Sequence, residues 1–347
     1  MGGELPWAAD HPVLEVLRAR RASGSRPGRR RDPHRVALAV EGGGLRGVVS
    51  AGMLAALDDL DLKDAFDVIY ACSSGAINAA YFTVGETWYP TSIYFEDLVS
   101  KEFLDFGRLL RKQSAMNLSY ALDTVVGGRK PLDYKSVLAS PVPLYVMVTD
   151  VDALTTRVIT EFTSKDDLYD ALRATMWLPL ATRGTARFRG YDAIDGGALT
   201  AHPFMLAESD PSISHILSLS TRPVGTTTST VSALSYLAGY RLNHLRKGLG
   251  ARYIQAVRTY KHSRLRIEAQ RLTPTSSPAI LDLAPLENHT EVLRHEMRSW
   301  ALLEGARSGY EVIYAAVEKR LRRPMLRLVI PDHDRADFPF PVTPADG

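Results

Sequence analysis

The chain of 347 residues is 45% hydrophobic and 23% charged, which allows a large apolar core and excludes a disordered or collagen-like protein. Its single cysteine, Cys72, excludes an intramolecular disulfide and any metal site built from several thiolates. The net charge of +3 conceals two basic segments: residues 18–35 hold eight arginines and one acid, and residues 211–267 hold nine basic residues and no acid.

The composition also bears on membranes and location. No apolar run reaches the ~20 residues that a membrane-spanning helix needs, and the N-terminus lacks the basic and apolar stretches of a signal peptide. With one free cysteine, we therefore expect a cytoplasmic protein without a membrane span. The two basic segments are typical of contact with a polyanion, either nucleic acid or an anionic membrane surface, although solvated protein surface has the same composition.

The predicted elements begin with a short helix over residues 12–21 and a linker rich in Gly, Pro and Arg over 23–33. We therefore expect residues 1–34 to form a basic N-terminal extension, with the folded domain starting near His34. Two strand–turn–helix units follow, because short apolar runs lead through small-residue turns into helical periodicity. The first unit is predicted to have its strand at 35–40, its turn at 41–44 and its helix at 45–60. The second is predicted to have its strand at 66–71, its turn at 72–75 and its helix at 76–84.

The rest of the chain is predicted to be mostly helical over 85–140 and then to alternate between strands and helices. Apolar residues recur with the helical period from 230 to 260, which predicts one long basic amphipathic helix. The other predicted strands lie at 143–149, 156–160, 191–194, 214–220 and 279–283, with an edge strand at 325–330. The other predicted helices lie at 168–175 and at 292–321, the second broken near 305–309, and a C-terminal tail is expected over 323–347.

Strands that alternate with helices pair in parallel, so we expect an α/β fold of three α/β/α layers with a mostly parallel central sheet. In such folds, functional groups collect at the carboxyl ends of the strands. Three turns of small residues follow predicted strands in this chain. We therefore expect all three turns to face one crevice.

The first turn is Gly42-Gly43-Gly44-Leu45-Arg46-Gly47, which fits the pattern G-x-G-x-x-G between a strand and a helix. Backbone N–H groups at a helix start bind an anion, which is either a dinucleotide pyrophosphate or the oxyanion of an acyl-transfer intermediate. A tightly packed connection without function is the third interpretation. The motif alone does not choose among them.

The second turn, Ala71-Cys72-Ser73-Ser74-Gly75, favours the oxyanion. A dinucleotide fold of this type has an acidic residue at the end of its second strand, whereas here Asp67 opens that strand. Ala71 and Gly75 are small residues two positions on either side of Ser73, as a sharp strand-to-helix elbow requires. Ser73 is therefore the predicted nucleophile, and Cys72 is interpreted as a packing residue.

The third turn, Asp195-Gly196-Gly197, is in isolation a common turn after a strand. A serine nucleophile needs a base, and none of the nine histidines has an evident spacing for that role; His202 and His215 lie nearest to predicted strand ends. An aspartate within hydrogen-bond reach can accept the serine proton directly, and neighbouring glycines let the backbone approach closely. Asp195 is therefore the candidate base.

In this order, the three motifs resemble the patatin-like phospholipase family, lipid acyl hydrolases that use a Ser–Asp dyad. The resemblance extends from about residue 35 to 320 and implies a catalytic domain over 35–322 that needs no metal or organic cofactor. It implies that Ser73 is the nucleophile and Asp195 the proton acceptor. The implied oxyanion hole consists of amides of Gly42, Gly43 and Gly44, with Arg46 close by.

Two residues depart from the family pattern: Ala71 replaces the first glycine of the elbow, and Ala201 stands where relatives often carry Asn. These two residues keep open the alternative of a catalytically weak protein of this fold that binds a lipid or a partner. A nucleotide-binding enzyme that uses the turn Gly42–Gly47 is a further alternative. We expect no nucleic acid partner, because the basic segments contain no recognisable reading module. For a lipid substrate, the N-terminal arginines and the basic helix near 230–260 are the candidates for peripheral contact with an anionic membrane.

Overall fold

The computed structural model describes residues 5–225, 231–287, 289 and 291–319. The α-helices in this part of the chain are α1 (Pro12–Ser23), α2 (Val48–Asp59), α3 (Ser74–Val84), α4 (Trp88–Ser92), α5 (Tyr134–Leu138), α6 (Lys165–Thr175), α7 (Phe204–Ser209), α8 (Ala233–Leu245), α9 (Leu249–Gln270) and α10 (Ser299–Glu318). The strands are β1 (Val36–Val40), β2 (Val68–Ala71), β3 (Leu144–Asp150), β4 (Thr155–Ile159), β5 (Ala186–Phe188), β6 (Tyr191–Asp195), β7 (His215–Leu219) and β8 (Ala279–Leu283).

The strands form one sheet in the order β5-β6-β3-β2-β1-β7-β8, with β4 also paired to β3. Strands β3, β2, β1, β7 and β8 run parallel to one another. Strands β4, β5 and β6 add antiparallel pairs on one side. The predicted mostly parallel α/β sheet is therefore confirmed, and the antiparallel side is a feature that the alternating pattern did not predict.

Helices cover both faces of the sheet, which explains why β1 and β7 are buried along their whole length. Alternate residues of β1 enter two different core clusters. Val36 and Leu38 belong to the larger cluster, which α2, α3 and α10 complete. Ala37 and Ala39 belong to the cluster that α7 and α9 complete. The three predicted layers follow from this alternation.

The N-terminal segment is part of the folded body, contrary to the expected start near His34. In α1, Val13 and Leu17 are completely buried in the main core. Arg20 is 1% exposed, and its guanidinium pairs with Asp32 and Asp67, each at 2.8 Å. Buried ion pairs of this kind need fixed geometry, so at least this arginine is structural and does not face a membrane.

The expected long helix over 230–260 is two helices, α8 and α9, separated at Arg246–Gly248. Gly248 has a φ of 95°, which a residue with a side chain rarely adopts. A Cβ atom on Gly250 would overlap the Gly239 carbonyl, so the two helices pack backbone to backbone. The apolar period continues across the turn because both helices bury one face, and it therefore conceals the break.

In the C-terminal helix, the sequence predicts a break that the structure does not have. α10 is continuous through Gly305 and Gly309. A Cβ on Gly309 would overlap the carbonyl of Val49 in α2, so this glycine permits a close approach of two helices. The predicted strand over 325–330 and the tail expected over 323–347 lie outside the described residues.

Residues 85–140 are helical only in short pieces: α4, α5, the π-helical turns Ile93–Asp97 and Tyr120–Arg129, and the 3₁₀ turn Phe106–Arg111. Within the described part of the chain, no helix combines the length and apolar character that crossing a membrane requires.

Candidate active site

The glycine turn after β1 lies directly against the turn after β2. A Cβ on Gly42 would stand 2.6 Å from the Cβ of Ser73 and from the carbonyl oxygen of Cys72, so only glycine fits there. Gly44 has a φ of 62°, in the left-handed region that favours glycine. Glycine at these two positions therefore allows the loop and the elbow to pack against each other.

Ser73 occupies a strained backbone conformation, with φ 53° and ψ −140°, between the end of β2 and the start of α3. Its amide donates to the Thr175 hydroxyl at 2.9 Å, and that hydroxyl donates to the Met147 carbonyl at 2.6 Å. The hydrogen bonds tie the elbow to α6 and β3. Ala71, the departure from the family pattern, is fully buried in the core, which accommodates its methyl group.

The other glycines predicted to belong to the site are positions of close approach. A Cβ on Gly75 would stand 2.8 Å from the Glu41 carbonyl oxygen, and one on Gly47 would overlap the Ser74 hydroxyl. A Cβ on Gly196 would overlap the Met147 carbonyl. Each turn therefore packs against a neighbouring strand end, as the sheet topology requires.

Asp195, the last residue of β6, is 5% exposed. One carboxylate oxygen, Oδ1, accepts the Gly197 amide at 2.8 Å. The Ser73 hydroxyl lies close enough to lower the pKa of this carboxyl. The Asp195 amide donates to the Trp177 carbonyl at 3.0 Å. The structure thus brings the two predicted reacting side chains close together from separate strands.

Burial raises the pKa of Asp195 above the ordinary carboxyl value. The neighbouring Ser73 hydroxyl, the hydrogen bond from the Gly197 amide and the charge of Arg294 act in the opposite direction on this pKa. Burial and the nearby Asp195 charge raise the pKa of the Cys72 thiol, so this thiol stays neutral and its interpretation as a packing residue agrees with its surroundings. A buried carboxylate whose pKa is raised is better suited to accept a proton than an exposed one.

The backbone amides of the glycine loop differ in their hydrogen-bond partners. The Gly43 amide donates to the Ser74 hydroxyl at 3.1 Å, and the Leu45 amide donates to the Arg294 carbonyl at 3.0 Å. The Gly44 amide opens the 3₁₀ turn Gly44–Gly47 and so has no partner within that turn. Of the amides predicted for the oxyanion hole, that of Gly44 is the one placed at a helical start.

Arg46 is buried rather than solvated: it is 3% exposed, and its Nε donates to the Thr221 hydroxyl at 3.0 Å. Its Nη1 lies 3.7 Å from Glu291, and its Nη2 has no hydrogen-bond partner among the described residues. Burial lowers the pKa of Arg46 to about 10, opposed by the charge of Glu41. The side chain therefore remains a cation at neutral pH, packed beside Gly43.

Glu41 is a buried carboxylate of the loop that the sequence did not single out. Its Oε2 accepts both the amide and the hydroxyl of Thr221, at 2.6 and 2.7 Å. Burial would raise the pKa of Glu41, but nearby positive charge and these hydrogen bonds lower it to about 2. Glu41 therefore stays ionised and fixes the loop to Thr221, two residues after the end of β7.

Neither histidine near a predicted strand end joins the pair. The Nδ1 of His202 accepts the Phe204 amide, and its Nε2 faces the Ser220 hydroxyl at 3.3 Å. Burial lowers the pKa of both His202 and His215. Ala201, the second departure from the family pattern, packs against the core cluster that α7 and α9 complete. Across the described residues, no three His, Cys, Asp or Glu side chains are grouped as a metal site would require.

Comparisons with known proteins are consistent with these motifs. Residues 38–208 match the family model for patatin-like phospholipase. The chain is 25% identical over 174 residues to the uncharacterized protein YjjU of Escherichia coli (strain K12). That alignment covers 49% of this chain and 48% of the relative, so it spans about half the length of the curated relative.

Two solved structures are also similar to this chain. VipD from Legionella pneumophila is 13% identical, with a TM-score of 0.43, over 83% of this chain and 67% of that one. Human GIVD cytosolic phospholipase A2, in complex with methyl gamma-linolenyl fluorophosphonate and terbium chloride, is 11% identical, with a TM-score of 0.39. The second match covers 89% of this chain and 64% of that one.

Proposed function

We propose that this chain, whose residues 38–208 match the family model for patatin-like phospholipase, is a serine acyl hydrolase that cleaves ester-linked acyl chains from lipids. The observation that carries the proposal is the placement of the Ser73 hydroxyl beside the buried carboxylate of Asp195, close enough to lower the pKa of that carboxyl. A nucleophile with an adjacent base, next to backbone amides at a helix start, is the arrangement that acyl transfer needs.

In the proposed reaction, Asp195 accepts the proton of Ser73 while the serine oxygen attacks the ester carbonyl carbon. The amide of Gly44 stabilises the resulting oxyanion, and the nearby cation of Arg46 favours the same charge. The ester C–O bond then breaks, and the leaving alcohol takes the proton from Asp195. Water attacks the acyl-enzyme with Asp195 again accepting a proton, and Ser73 leaves as the free hydroxyl with the release of the fatty acid.

A long-chain fluorophosphonate tests for the activated serine. We expect a covalent adduct on Ser73, located by peptide mass mapping, together with fatty-acid release from a dispersed phospholipid. The surface variant Ser209→Ala should be labelled as fast as the unmodified protein. A folded sample that forms no adduct contradicts the proposal and favours the alternative of a protein that binds lipid without cleaving it.

Asp195→Asn should lower kcat by about 10²- to 10⁴-fold, because the variant cannot accept the serine proton. It should also raise the melting temperature. Between the ordinary carboxyl pKa and the raised pKa of Asp195, the folded protein binds more protons than the unfolded chain, so stability falls as pH rises through that range. At neutral pH the ionised group therefore lowers stability, and asparagine removes that effect.

Thermal melts at pH 7 and kcat measured on one ester check both parts of the Asp195 prediction. Asp170→Asn, an exposed aspartate of α6, is the matched control and should leave both quantities unchanged. Full activity in Asp195→Asn would exclude this residue as the base. A lower melting temperature would contradict the prediction that the ionised Asp195 carboxylate destabilises the folded protein.

We also propose that the protein reaches its substrate by docking α8 on an anionic lipid surface. Four large side chains of this helix face solvent: Leu234 at 63%, Tyr236 at 56%, Leu237 at 49% and Tyr240 at 64% exposure. Exposed basic residues follow them at Arg241, Arg246 and Lys247. An apolar face beside cations is the composition that binds the interface of an anionic bilayer.

A cleft beside α8 supports this direction of approach. It has a volume of about 330 Å³, and its lining includes Leu109, Pro179, Arg241 and Leu245. Pro179 lies two residues after Trp177, whose carbonyl accepts the amide of Asp195. The cleft therefore links the proposed docking helix to the segment that borders the site.

Vesicle sedimentation tests the docking surface. Replacing Leu234 and Leu237 together with serine should weaken binding to vesicles that contain phosphatidylglycerol by about tenfold or more, because two apolar side chains lose their burial in lipid. The control is Leu272→Ser, which is equally exposed (64%) but follows the far end of the 22-residue helix α9. Equal binding to purely zwitterionic vesicles would contradict the role of the basic residues.

A further inference from the structure

The segment between β8 and α10 lies across the glycine loop. The carbonyl of Arg294 accepts the Leu45 amide at 3.0 Å. A Cβ on Gly44 would stand 2.7 Å from that carbonyl oxygen and 3.8 Å from the Cβ of Arg294. Backbone and side chain of Arg294 therefore begin immediately beside the amide proposed to hold the oxyanion.

The guanidinium of Arg294 is exposed and makes no ion pair with any residue that the structure describes. Its charge nevertheless acts to lower the pKa of Asp195 and of Cys72, both of which are buried. The acidic groups nearest the loop are engaged elsewhere: Glu41 binds Thr221, and Glu291 lies 3.7 Å from Arg46. Among the described residues, Arg294 thus has no acidic partner and lies exposed beside the glycine loop.

The neighbouring cations are also incompletely partnered. Arg46 is 97% buried, and its Nη2 lacks a hydrogen-bond partner within the described part of the chain. Arg222, which is partly buried and makes no ion pair there, adds positive charge that acts on Glu41 and Arg46. Guanidinium groups that keep unused donors near a nucleophile favour a ligand that carries an anion beside the reacting group.

We propose that Arg294 binds the phosphate of the lipid head group and makes the protein prefer phospholipids to neutral acyl esters. The proposal rests on the proposed acyl hydrolysis, since it concerns the substrate of the same site. In a glycerophospholipid, only the glycerol carbons separate the phosphate from the scissile ester. A carbonyl oxygen held at Gly44 therefore leaves the phosphate close to the residue whose Cβ adjoins that glycine. A guanidinium donates two parallel hydrogen bonds to phosphate, which a neutral side chain cannot replace.

The test compares two substrates with identical acyl chains, a phosphatidylglycerol and a diacylglycerol, presented in the same neutral detergent micelles. In Arg294→Gln, we expect kcat/KM for the phospholipid to fall by about tenfold to a hundredfold while the value for the diacylglycerol changes little. Arg294→Lys should recover part of the preference, since it keeps the charge without the paired donors. The matched control is Arg31→Gln, an exposed arginine that should leave the preference unchanged.

The outcomes separate this proposal from the proposed function. If the unmodified protein neither cleaves an ester nor forms the fluorophosphonate adduct on Ser73, the hydrolase proposal itself fails. If it cleaves both esters and Arg294→Gln lowers both values equally, the phosphate site is overturned. Unchanged values for both esters overturn it as well. The acid limb of the pH profile should move to higher pH for both esters in every case, because Asp195 loses a neighbouring positive charge. The kcat/KM values are therefore compared on the pH-independent plateau.

Discussion

We expect Ser73→Ala to lower kcat for acyl-ester hydrolysis by about 10³-fold or more, the scale seen when a nucleophile is removed from a unit that acts together. The hydroxyl is the group that would form the acyl-enzyme, and the neighbouring Cys72 thiol is buried with a raised pKa, so it offers no substitute. Fatty-acid release measured at saturating substrate checks the prediction. Labelling by a fluorophosphonate should disappear in the same variant.

The fold should survive this change. Alanine has no greater difficulty than serine at a φ of 53°, and the Ser73 amide keeps its hydrogen bond to Thr175. The thermal melt of Ser73→Ala should therefore remain close to that of the unmodified protein. Ser92→Ala, in a short surface helix, serves as the control for activity. Activity above about a tenth of normal in a folded Ser73→Ala sample would assign the nucleophile to another residue.

The largest loss of stability is expected from Asp282→Ala, which should cost about 3–5 kcal/mol, because removing one partner of a buried ion pair leaves an uncompensated charge. Asp282 lies in β8 and is fully buried. Its carboxylate binds Arg264 at 2.8 Å and Arg271 at 2.6 Å, and it also accepts the Ser220 hydroxyl. Both arginines are themselves buried, so water could not solvate the positive charges that the variant would leave without Asp282.

Chemical denaturation at several pH values checks the Asp282 prediction. Burial opposes ionisation, but the two arginines hold the pKa of Asp282 below the ordinary carboxyl value. Its stabilising contribution is therefore complete above the unfolded pKa and is lost as pH falls through the lower folded value. The difference from the unmodified protein should shrink in acid. Asp170→Ala is the exposed control, and a loss below about 1 kcal/mol for Asp282→Ala would contradict the assigned role.

The sequence predicts the strands and the three turns because each is a local pattern. An apolar run followed by glycines leads to β1 and its loop, and small residues around Ser73 lead to the elbow. The pairing of Ser73 with Asp195 depends on β2 and β6 both flanking β3. The separate turns make Asp195 a candidate base, and the family resemblance specifies the pair. The family pattern supplies the combination that no single motif specifies.

The remaining parts of the site come from distant contacts that leave no local pattern. Thr175 is one polar residue at the end of an amphipathic helix, and only the packed structure shows that it holds the Ser73 amide. Arg294 lies in an irregular segment that the periodicity assigns to a helix. In the sequence, Arg20 is one of several arginines in a basic segment. Only the packed structure shows that Asp32 and Asp67 both form ion pairs with it.

The hydrogen bond between the Leu45 amide and the Arg294 carbonyl makes the glycine loop depend on residues far along the chain. The family match ends at residue 208, yet the loop is held by Thr221 and by Arg294, both beyond that point. A fragment truncated at the family boundary would keep every reacting side chain and lose two of the contacts that hold the glycine loop. The shortest fragment that preserves the site therefore has to extend through α10, whose packing on α2 completes the core.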